Sequence, residues 1–253
     1  MAWRHSPWVT ARALGLGATA AVVVVSAVRL LRRRPPPRPA AAALPSDIAR
    51  VATTAEVAAA VRAEGVCVVE RVLDAAAVAA LRERVAALEP RKRQNRRAKR
   101  WEHVHSPEAA AFAELAQHPS IAAAAKALLG PKHYLEKCGL VVSHPGATAQ
   151  RWHMDTPHLF ACREHLPPHS LSVFVPLCDL RPANGPTEFH LASHIKANLV
   201  RPPSRAAACC PAGSCVLYDP RVMHRGGANE SEGERALVYL TLSRVWYRDT
   251  LNP

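Results

Sequence analysis

The sequence of 253 residues has no C-x-x-C pair, although it contains seven cysteines. Zinc clusters and redox-active dithiols usually rely on such paired spacing. The cysteines are odd in number and scattered, which argues against a disulfide framework and for a reducing compartment. No internal repeat is evident either. The length suits one sizeable domain with an appendage.

Acidic residues are missing from residues 1–46, which carry seven arginines, and "RKRQNRRAKR", residues 91–100, adds seven more positive charges. The net charge is +13, yet the other 197 residues hold nineteen basic and twenty acidic side chains. The positive charge is therefore local, and nucleic acid is not an expected partner. Residues 91–100 are compatible with a solvated loop, a nuclear address, or a patch that attracts an anionic substrate or a membrane surface.

The segment "ALGLGATAAVVVVSAV", residues 13–28, is an apolar run between arginines. As a helix it would span about 24 Å, short of a hydrocarbon core of about 30 Å unless Leu30 and Leu31 extend it. We expect residues 1–34 to be a single-pass membrane anchor, with membrane association through residues 13–31. Five arginines follow the run and two precede it, which places the folded domain on the cytosolic side.

A cleaved transit peptide for a mitochondrion or plastid is the alternative for this segment, because it is rich in arginine and has no acid. A secretory signal peptide is less favoured, since no small-x-small cleavage site follows. The Pro/Ala-rich residues 35–46 predict an extended linker, and residues 47–253 the folded domain.

Within that domain, helical patterns come first and short strands follow. Residues 54–63 predict a helix that Gly65 ends, Asp74 caps a second helix, and residues 107–129 predict a third. Four later runs alternate or are β-branched and predict strands, namely "YLEKCGLVVS", "LSVFVPLCDL", "SCVLYDP" and "ALVYLTLSRVWY". This order predicts an α+β, mainly β fold, in which helices support one side of a sandwich or barrel.

The motif "RWHMD" places His153 and Asp155 two positions apart, so on a strand both side chains face the same way. His224 follows another strand-like run, and Arg235 opens an alternating strand. If they converge, two imidazoles and one carboxylate form the facial triad of non-haem Fe(II) oxygenases. Arg235 could then pair with the far carboxylate of a 2-oxoacid. The alternatives are a core histidine at position 224 and a surface ion pair between Arg235 and Glu232 or Glu234.

Taken together, these segments resemble the phytanoyl-CoA dioxygenase family of Fe(II)/2-oxoglutarate oxygenases over almost all of residues 50–253. The resemblance rests on "AEGVCVVERVLDAAAVAALRERV", "RWHMD", "LSVFVPLCDLRPANGPTEFHLASH", "GSCVLYDPRVMHRGGANES" and "ERALVYLTLSRVWYRDTLNP". It implies a double-stranded β-helix fold (jelly-roll, cupin-like), iron ligands at His153, Asp155 and His224, and 2-oxoglutarate held by Arg235. Leu191-Ala192 replaces the Pro-Gly that usually precedes Ser-His, a departure that touches no ligand.

The implied function is an Fe(II)- and 2-oxoglutarate-dependent dioxygenase that hydroxylates a small-molecule or lipid-derived substrate and releases succinate and carbon dioxide. Ascorbate is a candidate reductant, and no catalytic residue beyond the metal centre is expected. Two alternatives remain open: a zinc-dependent hydrolase or isomerase using the same three side chains, and a non-catalytic protein that binds polyanions through residues 91–100. His158, His165 and His169 are interpreted as loop or pocket-rim residues.

Overall fold

The α-helices of the described chain all lie before residue 130, with three short strands between them, and the longer strands follow, as the sequence predicts. The computed structural model describes residues 48–87, 93–95, 99–104, 107–160, 165–199 and 204–250. The predicted anchor and linker, residues 1–46, lie outside the described residues, so the division at residues 34 and 46 stays a prediction.

The first two helices are defined by their caps. Helix α1, Thr54–Glu64, begins after Thr53 with a capping box formed with Glu56, and ends at Gly65 with φ at 86°. Helix α2, Ala75–Ala86, begins where the Asp74 carboxylate accepts the N–H of Ala77. Both helices, the end of the first at Gly65 and the cap of the second at Asp74 were predicted, and the structure confirms them; the cap at Thr53 was not predicted.

The prediction of one helix over residues 107–129 is wrong. A 3-10 helix, Pro107–Gln117, is followed by helix α3, Pro119–Leu129. The break falls at His118, whose ψ of 131° is not helical. The reason is Pro119, because a proline disfavours the helical conformation in the residue before it and fits well in the first turn of the next helix.

In the described part of the chain, ten strands form two antiparallel sheets. The larger sheet contains seven of them, in the order β1-β8-β5-β10-β4-β3-β2. Their bounds are β1 Val66–Val69, β2 Arg93–Asn95, β3 Arg100–Val104, β4 His133–Ser143, β5 Ser170–Pro176, β8 Cys215–Tyr218 and β10 Arg235–Arg244. The smaller sheet has the order β7-β6-β9, with bounds β6 Thr187–His190, β7 Arg205–Ala207 and β9 His224–Gly226.

Two apolar layers result from the alternation of side chains along the strands. In β8, Cys215 and Leu217 pack with the helices, whereas Val216 and Tyr218 pack with Phe189 and Ala206 of the smaller sheet. One core therefore lies between the helices and the larger sheet, and the other lies between the two sheets. This arrangement confirms the predicted mainly β, α+β architecture with helical support on one side.

Strands β2, β3, β6, β7 and β9 were not predicted. Strands β2 and β3 fall in or beside the basic run 91–100, whose charge suggested a loop. Strand β6 begins inside "RPANGPTE", which reads as turn material, and β7 and β9 have three residues each. Such short segments are ordered by pairing with neighbours, so their own sequence carries little periodic signal.

The predicted membrane-anchored localisation needs correction. Within the described part of the chain, no helix has the length and apolar character needed to cross a bilayer. The longest α-helix there, α2, has 12 residues, or about 18 Å against the roughly 30 Å of a hydrocarbon core. Residues 13–31, on which the prediction relied, lie outside the described residues, and association with a membrane is not supported.

Candidate metal centre

His153 and His224 are joined through their backbones. The N–H of His153 donates to the carbonyl of His224 at 2.9 Å, and the N–H of His224 donates back at 2.8 Å. This bridge extends the smaller sheet past β9. It brings the two imidazole centroids to 4.4 Å from each other.

Both imidazoles are oriented by the same kind of contact. Nδ1 of His153 lies 2.9 Å from the carbonyl of Arg151, and Nδ1 of His224 lies 3.0 Å from the carbonyl of Val222. A carbonyl only accepts, so each Nδ1 carries the proton and each Nε2 keeps its lone pair. Burial, and then the neighbouring His153, lower the pKa of His224, which favours the neutral, metal-binding form.

Asp155 completes the cluster. Its Oδ1 lies 3.7 Å from Nε2 of His153 and 3.6 Å from Nε2 of His224. The backbone N–H groups of Asp155 and Thr156 both donate to the carbonyl of Pro220, which fixes the turn after the ligand pair. The donor atoms of the three predicted ligands all lie within 4.8 Å of one another, so the structure brings together the three side chains expected to hold iron.

Tyr218, which the sequence did not single out, supports the carboxylate. Its hydroxyl donates to Oδ2 of Asp155 at 2.9 Å, the oxygen not directed at the imidazoles. Burial, and then the charge of Asp155, raise the pKa of Tyr218 well above its ordinary value, so it remains a donor. Its position in an alternating strand was predictable, but the partner of its hydroxyl was not.

Arg235 lies at the start of β10 and is only 2% exposed. The predicted alternative of a surface ion pair is therefore wrong, and Glu234 instead contacts His144. The Nη2 group of Arg235 donates to Oγ of Ser143 at 2.8 Å, while its Nε and Nη1 have no hydrogen-bond partner among the described residues. A Cβ atom added to Gly226, two residues after His224, would lie 3.4 Å from Nη2, so the guanidinium reaches the strand of the third ligand.

Arg100 is a second buried arginine at this position, and the sequence analysis missed it. Its Nε donates to the same Ser143 Oγ at 3.0 Å, and its Nη2 to the carbonyl of Thr148 at 3.2 Å. Burial, and then the charge of Arg100, lower the pKa of Arg235 to about 10. Arg100 is the last residue of the basic run. The sequence would have indicated a strand at Arg100 only if this residue had been considered apart from the charged residues before it.

Comparison with known proteins agrees with this geometry. The family model described as "Phytanoyl-CoA dioxygenase (PhyH)" matches residues 61–237. The chain belongs to the phytanoyl-CoA dioxygenase family. The resemblance expected from the sequence is thereby confirmed.

Solved structures share the fold of this phytanoyl-CoA dioxygenase family member. The epimerase SnoN of nogalamycin biosynthesis, in complex with Fe³⁺, α-ketoglutarate and nogalamycin RO, is 24% identical, with 78% of this chain and 87% of SnoN covered and a TM-score of 0.63. EctD from S. alaskensis, with 2-oxoglutarate and 5-hydroxyectoine, is 24% identical, with coverage of 85% and 84% and a TM-score of 0.64. HygX from Streptomyces hygroscopicus, with nickel and 2-oxoglutarate, is 16% identical, with coverage of 78% and 89% and a TM-score of 0.63.

The predicted double-stranded β-helix is confirmed by these likenesses. The predicted pairing of iron with 2-oxoglutarate also agrees with the family and with the molecules bound in these neighbours. The neighbours include an epimerase, so membership of the phytanoyl-CoA dioxygenase family does not by itself fix the reaction. The residues that bind each group in this chain, and the reaction, are therefore matters of proposal.

Proposed function

We propose that this protein is an Fe(II)- and 2-oxoglutarate-dependent dioxygenase that hydroxylates a small organic molecule, with the activity in residues 47–253. One observation carries the proposal. A cluster of two imidazoles and one carboxylate lies beside β9, and the same strand is approached by a buried arginine with two N–H groups that lack partners. The first feature suits iron and the second suits a carboxylate.

The donor set fits Fe(II). Nε2 of His153, Nε2 of His224 and a carboxylate oxygen of Asp155 are two nitrogen ligands and one oxygen ligand, the combination typical of non-haem iron oxygenases. Three protein ligands leave further positions open for a chelating 2-oxoacid and dioxygen. When bound, the iron and 2-oxoglutarate would supply, together with dioxygen, the oxidant that removes a hydrogen atom from the substrate and returns a hydroxyl group, while 2-oxoglutarate is converted to succinate and carbon dioxide.

The surroundings of Arg235 fit the far carboxylate of 2-oxoglutarate. A guanidinium binds a carboxylate through two parallel N–H···O bonds from one of its edges, and Arg235 can offer Nη1 together with the second N–H of Nη2, whose first N–H binds Ser143. Buried N–H groups without partners are costly, so a carboxylate that accepts from them is strongly favoured. Arg100 adds a second positive charge that would attract the dianion into the barrel.

The remaining residues orient the ligands and keep water out. The carbonyls of Arg151 and Val222 hold each imidazole in the required tautomer, and the Tyr218 hydroxyl holds Asp155. The rings of Phe189 and Tyr218 pack against the ring of His224, forming an apolar wall behind the cluster. No general base is needed for hydrogen-atom removal, which agrees with a cluster that, among the described residues, has Asp155 as its one carboxylate.

The test is turnover of 2-oxoglutarate by the full-length chain. Metal-free protein receives Fe(II), ascorbate, 2-oxoglutarate and oxygen, and succinate is measured alongside the visible charge-transfer band of the anaerobic complex. Asp155→Ala should abolish succinate formation and the band, whereas Asp179→Asn, at an exposed turn, should leave both unchanged. If the wild-type protein shows neither, while its far-UV circular dichroism is that of a folded protein, the proposal fails.

Epimerisation is a second candidate, because a structural neighbour is an epimerase. The two reactions differ in the fate of dioxygen. Hydroxylation places one atom of ¹⁸O₂ in the product, whereas epimerisation inverts a carbon centre and leaves the product without label. Zinc-dependent hydrolysis is disfavoured by the two buried arginines, which serve no purpose in that chemistry. Binding of polyanions rests on residues 91–100, of which residues 91, 92 and 96–98 lie outside the described residues.

A further inference from the structure

A cavity of about 300 Å³ lies where β10 ends and β5 begins. Its wall contains His158 and Arg221, which follow the two segments that hold Asp155. These segments are joined where the N–H groups of Asp155 and Thr156 donate to the carbonyl of Pro220. The cavity is therefore built from the same loops that fix the metal ligand, and its size suits a small organic molecule.

The apolar part of the wall is exposed. Among the described residues, the large hydrophobic side chains that face solvent are Leu159 at 37%, Phe160 at 61%, Val245 at 59% and Trp246 at 64%. Leu159, Phe160 and Trp246 line the cavity, and Val245 adjoins it along the chain. Concentration of all such side chains at one place marks a binding site, and two aromatic rings favour a ligand with a flat face.

The polar part of the wall has unused hydrogen-bonding capacity. Nε2 of His169 and Nε2 of His158 are buried and have no hydrogen-bond partner in the part of the chain that the structure describes. The side chain of His169 is only 2% exposed, and its ring packs on Tyr247. Burial, and then the charge of Arg221, lower the pKa of both histidines, that of His169 to about 4. Each neutral imidazole offers one donor or acceptor to a ligand.

The charge of the wall is positive. Arg221 is neutralised by Asp219, with Nη2 to Oδ2 at 2.6 Å. Arg244 donates only to carbonyls, Nε to Pro168 at 3.0 Å and Nη2 to Leu128 at 3.1 Å, and it has no carboxylate partner within the described part of the chain. No acidic side chain occurs among the described residues that line the cavity. An anion is therefore favoured there and a cation is disfavoured.

We propose that this cavity binds the organic substrate, and that the substrate is a small, largely apolar ring compound with one anionic oxygen group such as a carboxylate. The ring would lie against Phe160 and Trp246, with its oxygens toward the two histidines and Arg244. The term substrate rests on the proposed function, whereas the chemical class of the ligand rests on the cavity alone. The positive charge of the wall disfavours cationic substrates such as amino sugars.

Binding of two matched probes tests this class. Naphthalene-2-carboxylate and 2-naphthylmethylammonium share a ring system and differ in charge, and calorimetry with iron-free, full-length protein measures both. The carboxylate should bind at least about tenfold more tightly than the ammonium. Trp246→Ala should weaken carboxylate binding about tenfold. Arg244→Gln should reduce the difference in affinity between the two probes.

One variant serves as the control. Arg181→Gln removes an exposed arginine elsewhere on the surface and should not change binding. Because Arg244 also ties β10 to two carbonyls, its substitution could unfold the chain, but Trp246 has no such contact and keeps the test decisive.

Equal affinity for the two probes, or unchanged carboxylate binding in Trp246→Ala, would overturn the inference. Turnover of 2-oxoglutarate in the same preparation reports separately on the oxygenase. Probe binding that persists in Asp155→Ala while succinate is lost would support both the cavity assignment and the proposed function. Succinate formation without selective probe binding would leave the oxygenase intact and refute only the ligand class.

Discussion

The hydroxyl of Tyr218 donates to Oδ2 of Asp155 at 2.9 Å, while Oδ1 of the same carboxylate faces the two imidazoles. Oδ1 thus faces the predicted metal position, whereas Oδ2 is held by the barrel wall. The tyrosine is buried among Phe174, Phe189 and His224, so the hydrogen bond is shielded from water and holds the carboxylate in one orientation.

Replacing Tyr218 by phenylalanine should therefore weaken Fe(II) binding by about 10- to 100-fold, the usual effect of removing a residue that orients a metal ligand. Anaerobic titration of the charge-transfer band with Fe(II) measures this. Tyr134→Phe is the matched control, since that hydroxyl donates to the carbonyl of Tyr247 and should not affect the metal. Unchanged affinity in Tyr218→Phe would show that Asp155 is held by other contacts.

Arg100→Gln should weaken 2-oxoglutarate binding by about tenfold, because it removes the second buried positive charge beside the carboxylate position. The dissociation constant comes from titration of the iron-loaded protein with 2-oxoglutarate. Lys99→Gln is the control, because Lys99 is the preceding residue but is exposed and contacts only the carbonyl of Pro145. Equal dissociation constants for the two variants would show that Arg100 does not contribute to 2-oxoglutarate binding.

Gly65→Ala should destabilise the fold by about 2–5 kcal/mol, as a sum of left-handed backbone strain and overpacking. Gly65 has φ at 86°, and a Cβ there would lie 2.7 Å from Nδ1 of His194 and 2.9 Å from Cγ2 of Val222. Gly130 has the same φ, but its nearest contact would be Arg244 Nη1 at 3.8 Å. Its ψ of 178° lies in a region that is essentially restricted to glycine, so Gly130→Ala should cost about 1–3 kcal/mol from backbone strain alone, and urea unfolding of both variants compares them.

Acid should destabilise the protein through His169. Burial, and then Arg221, lower its pKa from 6.5 to about 4, so between these values the unfolded chain binds a proton that the folded chain does not. The stability from this group is fully present above pH 6.5 and is lost as pH falls through about 4.

The free energy of unfolding should accordingly fall by about 1–3 kcal/mol from this residue between about pH 7.5 and about pH 4.5. Urea unfolding at a series of pH values measures it. In His169→Gln the free energy of unfolding should fall less over this pH range, by that amount. At the upper pH the imidazole is neutral in both states, so the difference in stability between the two proteins there measures the lost packing alone. Parallel curves for the two proteins would contradict the assignment.

Much of the metal centre was predictable, because strand periodicity and spacing constrain it. His153 and Asp155 share a face in any extended segment, and the family resemblance identifies His224 and Arg235 as their partners. The tautomers of the imidazoles and the role of Tyr218 were not predictable. Alternation places Val216 and Tyr218 on one face of β8, but which face meets Asp155 depends on how the two sheets close.

Arg100 shows a second limit of the sequence. Seven positive charges in ten residues suggest a solvated run. The average composition of the run gives no sign that its last residue, Arg100, is buried in the barrel. The break at Pro119 is different, because the proline is visible in the sequence. The prediction of one helix over residues 107–129 gave more weight to the spacing of apolar residues than to this proline. Strands β7 and β9, with three residues each, are too short for any periodic signal.

The segment that carries His153 and Asp155 is attached to its neighbours mainly by backbone atoms. The N–H groups of Gln150, His153 and Asp155 donate to carbonyls of Gly226, His224 and Pro220. Such bonds are the same for any side chain except proline. The side chain of Trp152 also contacts the His190 ring and the Arg225 guanidinium, so only Met154 can be exchanged without loss of such a contact. The fold thus leaves position 154 open to variation while the two predicted metal ligands beside it keep their places.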